Sequence, residues 1–95
     1  YGLSVTPARL SQVEAGEAWL RALGVGGDLR VRHRGDEARI EAEPAHFARI
    51  REARESLSRA FLALGFARVT LDLSGYRRGS LLHGADAAVE PLSAR

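Results

Sequence analysis

The residues with the clearest chemical potential are arginines and glutamates that alternate along two predicted strands. Every second side chain is charged over residues 29–34 and 37–43, and Gly35-Asp36 between them is typical of a two-residue hairpin turn. That turn sets the register of the hairpin. The expected cross-strand pairs are Arg34 with Glu37, Arg32 with Arg39, and Arg30 with Glu41, and we call these six side chains the charged face.

The pair Arg32–Arg39 places like charges opposite each other, which destabilises an isolated hairpin. One interpretation is a solvated surface, neutralised by the pairs Arg30–Glu41 and Arg34–Glu37. The other is an anion site, because guanidinium forks bind phosphate and carboxylate groups well. The pattern alone leaves both interpretations open.

Glu17 is a second candidate, because it lies within the apolar stripe of a predicted helix. It could pair with Arg21, four residues further along that helix. It could instead point into a cleft as an acid–base group or as a ligand for a hard cation.

The remaining polar motifs predict little chemistry. His33 is expected to be a packed core histidine, and it shares no metal-ligand spacing with His46 or His83. The chain has no cysteine, which excludes disulfides, thiolate metal sites and a cysteine nucleophile within it. The run Gly75-Tyr76-Arg77-Arg78-Gly79-Ser80 is an anion-binding loop or an ordinary loop, and it is not a P-loop.

Two helices and three strands are predicted to position these residues. The first helix covers residues 6–23, with Thr6 as N-cap and Gly24 as the stop, and the second runs from Pro44 to about Leu64. A third strand covers residues 68–73. In that strand Val69, Leu71 and Leu73 are predicted to face inward, and Arg68, Thr70 and Asp72 outward.

The order α-β-β-α-β predicts an α+β fold, a two-layer sandwich whose three-stranded sheet is covered on one face by two helices. The helical crossover makes the third strand parallel to the second. We expect the third strand to lie beside the first, in the order 2-1-3. Residues 1–80 form one domain in this interpretation, and residues 81–95 form a flexible tail.

Composition agrees with one soluble domain in the cytoplasm. The chain has 95 residues, of which 45% are hydrophobic and 27% charged, and no apolar run is long enough for a membrane span. The pI of about 9.9 arises because all 14 basic residues are arginine. A net charge of +2 does not favour nucleic-acid binding.

Three blocks of sequence resemble one family. Residues 29–41, LRVRHRGDEARIE, are similar to a hairpin of the LarE family, the ATP-dependent sacrificial sulfur transferases of the PP-loop superfamily. The segment from Leu64-Gly65-Phe66 through Val69-Thr70-Leu71-Asp72-Leu73 to Gly79-Ser80 resembles the family's closing segment. The stretch from Thr6-Pro7 to Leu23-Gly24 resembles its preceding helix.

The resemblance implies a C-terminal domain without the family's ATP-binding loop and without its sacrificial cysteine. The parent would use ATP and Mg²⁺ to activate a pyridinium biscarboxylate mononucleotide and would add sulfur to it, for synthesis of a nickel-pincer cofactor. This domain alone would hold no cofactor and catalyse nothing. Its implied partners are the missing N-terminal domain, the mononucleotide and further copies of the chain, but neither nucleic acid nor a membrane.

The resemblance also implies roles for individual residues. Arg30 and Arg32 would hold the substrate phosphate, whereas Glu17, Glu41 and Asp72 would orient substrate or form an interface. Glu17 and Glu41 are also the implied metal ligands, although Pro44-Ala45-His46 departs from the acidic residues common in relatives. The alternative is a stand-alone module that binds anions or an acidic protein partner through the charged face.

Overall fold

The first helix begins and ends where the sequence predicts. A computed structural model of the chain describes residues 6–74 and 88–93, and helix α1 spans Pro7–Leu23. The Thr6 hydroxyl oxygen accepts a hydrogen bond from the Arg9 amide at 3.1 Å, so it satisfies one of the free donors of the first turn. Gly24 closes the helix with a left-handed φ of 112°.

The predicted hairpin and its register are confirmed. Strands β1 (Leu29–Arg34) and β2 (Glu37–Ala42) are antiparallel, and Arg32 lies opposite Arg39. Gly35 has a positive φ of 66°, whereas no other residue type in the described ranges does. This agrees with a turn that needs glycine at its first position.

The second predicted helix is interrupted. A short 3-10 helix, Pro44–His46, leads into α2 (Phe47–Glu52), and α3 (Arg54–Ala63) follows after a break at Ala53. The prediction of one continuous helix is therefore wrong at this residue. Arg54 interrupts the apolar stripe, and the break allows Ile50 and Leu57 on either side to be fully buried.

Strand β3 (Arg68–Asp72) pairs in parallel with β2, as predicted, but the expected strand order 2-1-3 is wrong. The sheet order is β1-β2-β3-β4, so β1 is an edge strand. The free edge of β1 is occupied by α1, because the Glu17 side chain accepts a hydrogen bond from the Val31 amide. Strand β3 therefore joins the other side of the hairpin.

Strand β4 (Val89–Pro91) was not expected, because it lies in the predicted flexible tail. It pairs antiparallel with β3, and Leu92 directly after it is only 4% exposed. A bidentate ion pair between Arg51 and Glu90, with a shortest distance of 2.7 Å, fastens the strand to α2. The expectation of a flexible tail is thus corrected over residues 88–93.

The helices and the apolar face of the sheet enclose one core, which confirms the α+β class. Its largest fully buried side chains are Phe61, Leu20, Ile40, Ile50, Leu57, Leu71, Val25, Val31 and Val69. Leu73 lies outside this core with 38% exposure, which corrects the prediction that it faces inward, since β3 ends at Asp72. Each helix in the described ranges is too short or too polar to cross a bilayer.

Candidate functional site

The charged face is a set of ordered ion pairs rather than a surface of independent side chains. Arg32 Nε donates to Glu41 Oε2 at 3.2 Å, and Arg39 Nε donates to Glu37 Oε2 at 3.4 Å. In both of these ion pairs the arginine is a residue other than the one directly opposite the carboxylate in the register. Both arginines are held through Nε, which leaves their terminal nitrogens available for other acceptors.

The carboxylates of this face are more buried than alternation alone suggests. Glu41 is 7% exposed and Asp72 is 3% exposed, although both point away from the helices. They lie two residues beyond the paired Arg39 and Thr70 on neighbouring parallel strands, so they share one face and are adjacent. Both residues lie on the two interior strands of the four-stranded sheet.

Strand β3 supports this face through two hydroxyl groups that the sequence analysis missed. Thr70 Oγ1 donates a hydrogen bond to Glu37 Oε2. Asp72 Oδ1 accepts hydrogen bonds from the amide of Ser74, at 2.9 Å, and from its hydroxyl. The outward placement of Thr70 was a usable signal, whereas the contact of Ser74 depends on the turn after β3.

Glu17 follows neither of the two interpretations drawn from the sequence. Its Oε2 accepts a hydrogen bond from the Val31 amide at 3.0 Å, on the free edge of β1. Arg21 donates instead to the carbonyl oxygens of Val25 and Gly27, at 3.1 and 2.8 Å. Glu17 therefore caps an exposed strand edge, a contact that prevents pairing with another strand there.

We expect Glu17→Ala to expose the edge of β1. Hydrogen exchange of the Val31 amide should accelerate, and the free energy of unfolding should fall by about 1.5–3 kcal/mol, because one hydrogen bond to a charged group is lost. Glu17→Gln is the matched control, since its amide oxygen still accepts this bond. Unchanged exchange at Val31 in Glu17→Ala would show that the contact contributes nothing.

The structure does not support a metal site built on Glu17 and Glu41. Glu17 approaches the edge of β1 from α1, on the apolar side of the sheet, whereas Glu41 lies on the opposite face and is paired with Arg32. Within residues 6–74 and 88–93 no group of three or more histidine, cysteine, aspartate or glutamate residues could hold a metal ion.

His33 is packed against the core, as predicted. Its Nε2 lies 2.9 Å from Gln12 Oε1, and Gln12 Nε2 donates to the Leu64 carbonyl oxygen at 2.8 Å. Because the amide nitrogen of Gln12 is used by Leu64, its oxygen faces the histidine, and Nε2 of the ring carries the proton. Nδ1 is buried without a hydrogen-bond partner, and the ring lies 5.0 Å from that of Phe66.

This environment makes stability depend on pH. Burial, followed by the charge of Arg9, lowers the pKa of His33 below its ordinary 6.5, although Asp36 acts in the opposite direction. The unfolded chain therefore binds more protons just below pH 6.5, and the free energy of unfolding should decrease as the pH falls through this window. Urea denaturation at pH 7.5 and 5.5 measures the loss, and His33→Gln should reduce it. An equal loss in both proteins would contradict the assignment.

A separate groove lies on the helical side of the molecule. It has a volume of about 740 Å³ and lies between α3 and the segment after β4, with Arg54, Arg59 and Leu62 among its lining residues. It does not include any residue of the charged face. The predicted loop of residues 75–80 and His83 lie outside the described residues, and His46 ends the 3-10 helix.

Comparisons with known proteins identify related sequences. The chain is 40% identical over 81 residues to a pyridinium-3,5-bisthiocarboxylic acid mononucleotide synthase of Lactiplantibacillus plantarum, a match that covers 85% of this chain. It is 37% identical over 83 residues to an uncharacterised protein of Synechocystis, again over 85% of this chain. No protein-family model matches the chain.

The match covers a much smaller share of each relative than of this chain. The chain spans 29% of the synthase and 31% of the Synechocystis protein. The three sequence blocks that resemble the LarE family belong to a chain that matches both relatives over 85% of its length. The resemblance to the LarE family is therefore confirmed: the chain is similar to a LarE synthase over 85% of its own length and spans 29% of that protein.

Proposed function

We propose that this chain is the C-terminal domain of a LarE-type, ATP-dependent sulfur transferase. In this proposal the charged face binds the phosphate group of the substrate, a pyridinium biscarboxylate mononucleotide. The similarity to a synthase named for a pyridinium mononucleotide product supports the substrate class. Arg30 and Arg32 are the proposed phosphate ligands.

The geometry of Arg32 is the observation that carries the proposal. Its side chain is 47% exposed, while the Glu41 side chain that holds its Nε is 10% exposed. A buried carboxylate thus fixes the Nε of the guanidinium group, while nearly half of the side chain stays exposed to solvent. An arginine held in this way is suited to bidentate phosphate binding, because less side-chain entropy is lost when the ligand binds.

The rest of the reaction requires groups that this chain does not contain. It has no cysteine, so a cysteine sulfur donor would come from the part of the protein that the relatives have beyond the matched length. ATP and Mg²⁺ would bind there as well. Further copies of the chain could enclose the charged face at a subunit contact, as the family resemblance implies.

Isothermal titration of the 95-residue chain with nicotinate mononucleotide, against nicotinate riboside as the control without phosphate, tests this proposal. We expect binding in the millimolar range for the mononucleotide and at least tenfold weaker binding for the riboside, because the phosphate supplies the charge-assisted contacts. Equal affinities, or no binding of the mononucleotide, would overturn a phosphate site on this chain.

A further inference from the structure

We propose that Arg39 forms a clamp with Arg32, in which one dianionic phosphate group lies between the two guanidinium groups. Neither the family resemblance nor the named relatives assign a role to Arg39. The inference rests on the proposed function, because it concerns the same face. It adds a second arginine and the two residues that support it, Glu37 and Thr70.

The register of the hairpin brings Arg32 and Arg39 together. Arg32 and Arg39 are directly opposite each other on adjacent strands, and their side chains point to the same side of the sheet. Two like charges at this spacing repel each other, and the ion pairs of Arg32 with Glu41 and of Arg39 with Glu37 reduce that repulsion. A doubly charged anion between them would turn this repulsion into attraction to both arginines.

Each of the two arginines is held by a glutamate on the same face. Arg39 Nε donates to Glu37 Oε2, and that same oxygen accepts the Thr70 hydroxyl hydrogen bond. Arg32 is held in the same manner by Glu41. Since a guanidinium group has five N–H donors, one used at Nε leaves four on the terminal nitrogens of each residue.

The Arg32 and Arg39 side chains differ in how deeply they are buried. Arg39 is 13% exposed and Arg32 is 47% exposed, so Arg39 forms the floor of the proposed clamp and Arg32 its rim. Within the described residues, His33 Nδ1 is the one buried side-chain nitrogen or oxygen without a partner. Arg39 has no such atom, and the 13% of its side chain that is exposed is where an anion would approach it.

The charged face carries more positive than negative charge. Its four arginines outnumber its two glutamates, and Asp72 beside Glu41 adds a third carboxylate on the same side of the sheet. The net charge of this set is positive, which favours an anion over a cation. The partial burial of Arg39 strengthens the attraction, because the effective dielectric constant is lower there than at an exposed residue.

Titration with inorganic phosphate and with nicotinate mononucleotide tests the clamp in three variants. Arg39→Gln should weaken binding about ten- to hundredfold, as expected for the loss of hydrogen bonds from a charged group. Glu37→Gln should change it less, because Arg39 keeps its charge and a neutral amide oxygen can still accept its Nε hydrogen bond. Arg68→Gln is the control, since it removes the same charge from an arginine that pairs with Asp36 at the hairpin turn.

The outcomes separate the clamp from the proposed function. Loss of affinity in Arg39→Gln but not in Arg68→Gln supports the clamp. Unchanged affinity in Arg39→Gln, with weaker binding in Arg32→Gln, would overturn the clamp and leave the phosphate site in place. The absence of any phosphate-dependent binding by the unaltered chain would overturn both.

A second measurement needs no substitution and covers a variant that fails to fold. The Nε–H resonance of Arg39 in the unaltered chain should be protected from exchange by Glu37, and it should shift on addition of phosphate. The resonances of Arg32 and Arg39 should saturate at the same phosphate concentration, because one ion contacts both. A shift of Arg32 without any change at Arg39 would contradict the clamp.

Discussion

Arg32→Ala is expected to lose affinity for nicotinate mononucleotide about ten- to hundredfold, because an oriented, charge-assisted phosphate contact disappears. The same substitution removes the ion pair that Arg32 forms with Glu41, which is 7% exposed. We therefore also expect the free energy of unfolding to fall by about 1–3 kcal/mol, the cost of a buried polar group that loses its partner. Titration and urea denaturation measure the two effects.

A double variant distinguishes loss of the ligand contact from loss of structure. Arg32→Ala combined with Glu41→Gln removes the unpaired charge, so stability should recover in part. The affinity should stay as low as in Arg32→Ala, since no guanidinium group is restored. Recovery of affinity along with stability would show that Arg32 acts on the fold and not on the phosphate.

Phe61→Ala is expected to destabilise the protein by about 3–5 kcal/mol, a large share of the 5–15 kcal/mol typical of a small domain. Phe61 is fully buried, and its ring centroid lies 6.3 Å from that of Trp19 and 5.9 Å from that of Phe66. An added Cβ on Gly16 would lie 2.9 Å from its ring, which shows how closely α1 approaches α3 at this point. The deletion would therefore open a cavity between both helices and the sheet.

Leu62→Ala is the matched control for this prediction. Leu62 is the next residue in α3 and is 44% exposed, so its truncation should change the free energy of unfolding by less than about 1 kcal/mol. Urea denaturation followed by Trp19 fluorescence measures both variants. Similar losses in the two would contradict the placement of Phe61 at the centre of the core.

The parts of the fold that depend on local sequence were predictable. The hairpin register follows from the Gly35-Asp36 turn and the alternation of charge, and α1 follows from Thr6 and Gly24 at its two ends. The sequence alone therefore predicts that Arg32 lies opposite Arg39. The turn and the alternating residues on either side of it are enough to place these two arginines opposite each other.

The parts that depend on distant contacts were not predictable in the same way. Strand β4 has three residues and contains a proline, so no periodic pattern marks it, and it is fixed by β3 and by the ion pair Arg51–Glu90. Glu17 binds a strand amide 14 residues away, which helical spacing cannot reveal. The alternation of charge does not mark the burial of Glu41, and the strand order that places β3 beside β2 was predicted incorrectly.

The most direct test of the account is a map of amide chemical shifts during titration of the chain with nicotinate mononucleotide. The phosphate site on the charged face predicts the largest shifts in β1 and β2 around Arg32 and Arg39, and these shifts should be absent with nicotinate riboside. The groove between α3 and β4 is the competing location, because Arg54 and Arg59 line it. Phosphate-dependent shifts confined to that groove, with β1 and β2 unchanged, would contradict the account.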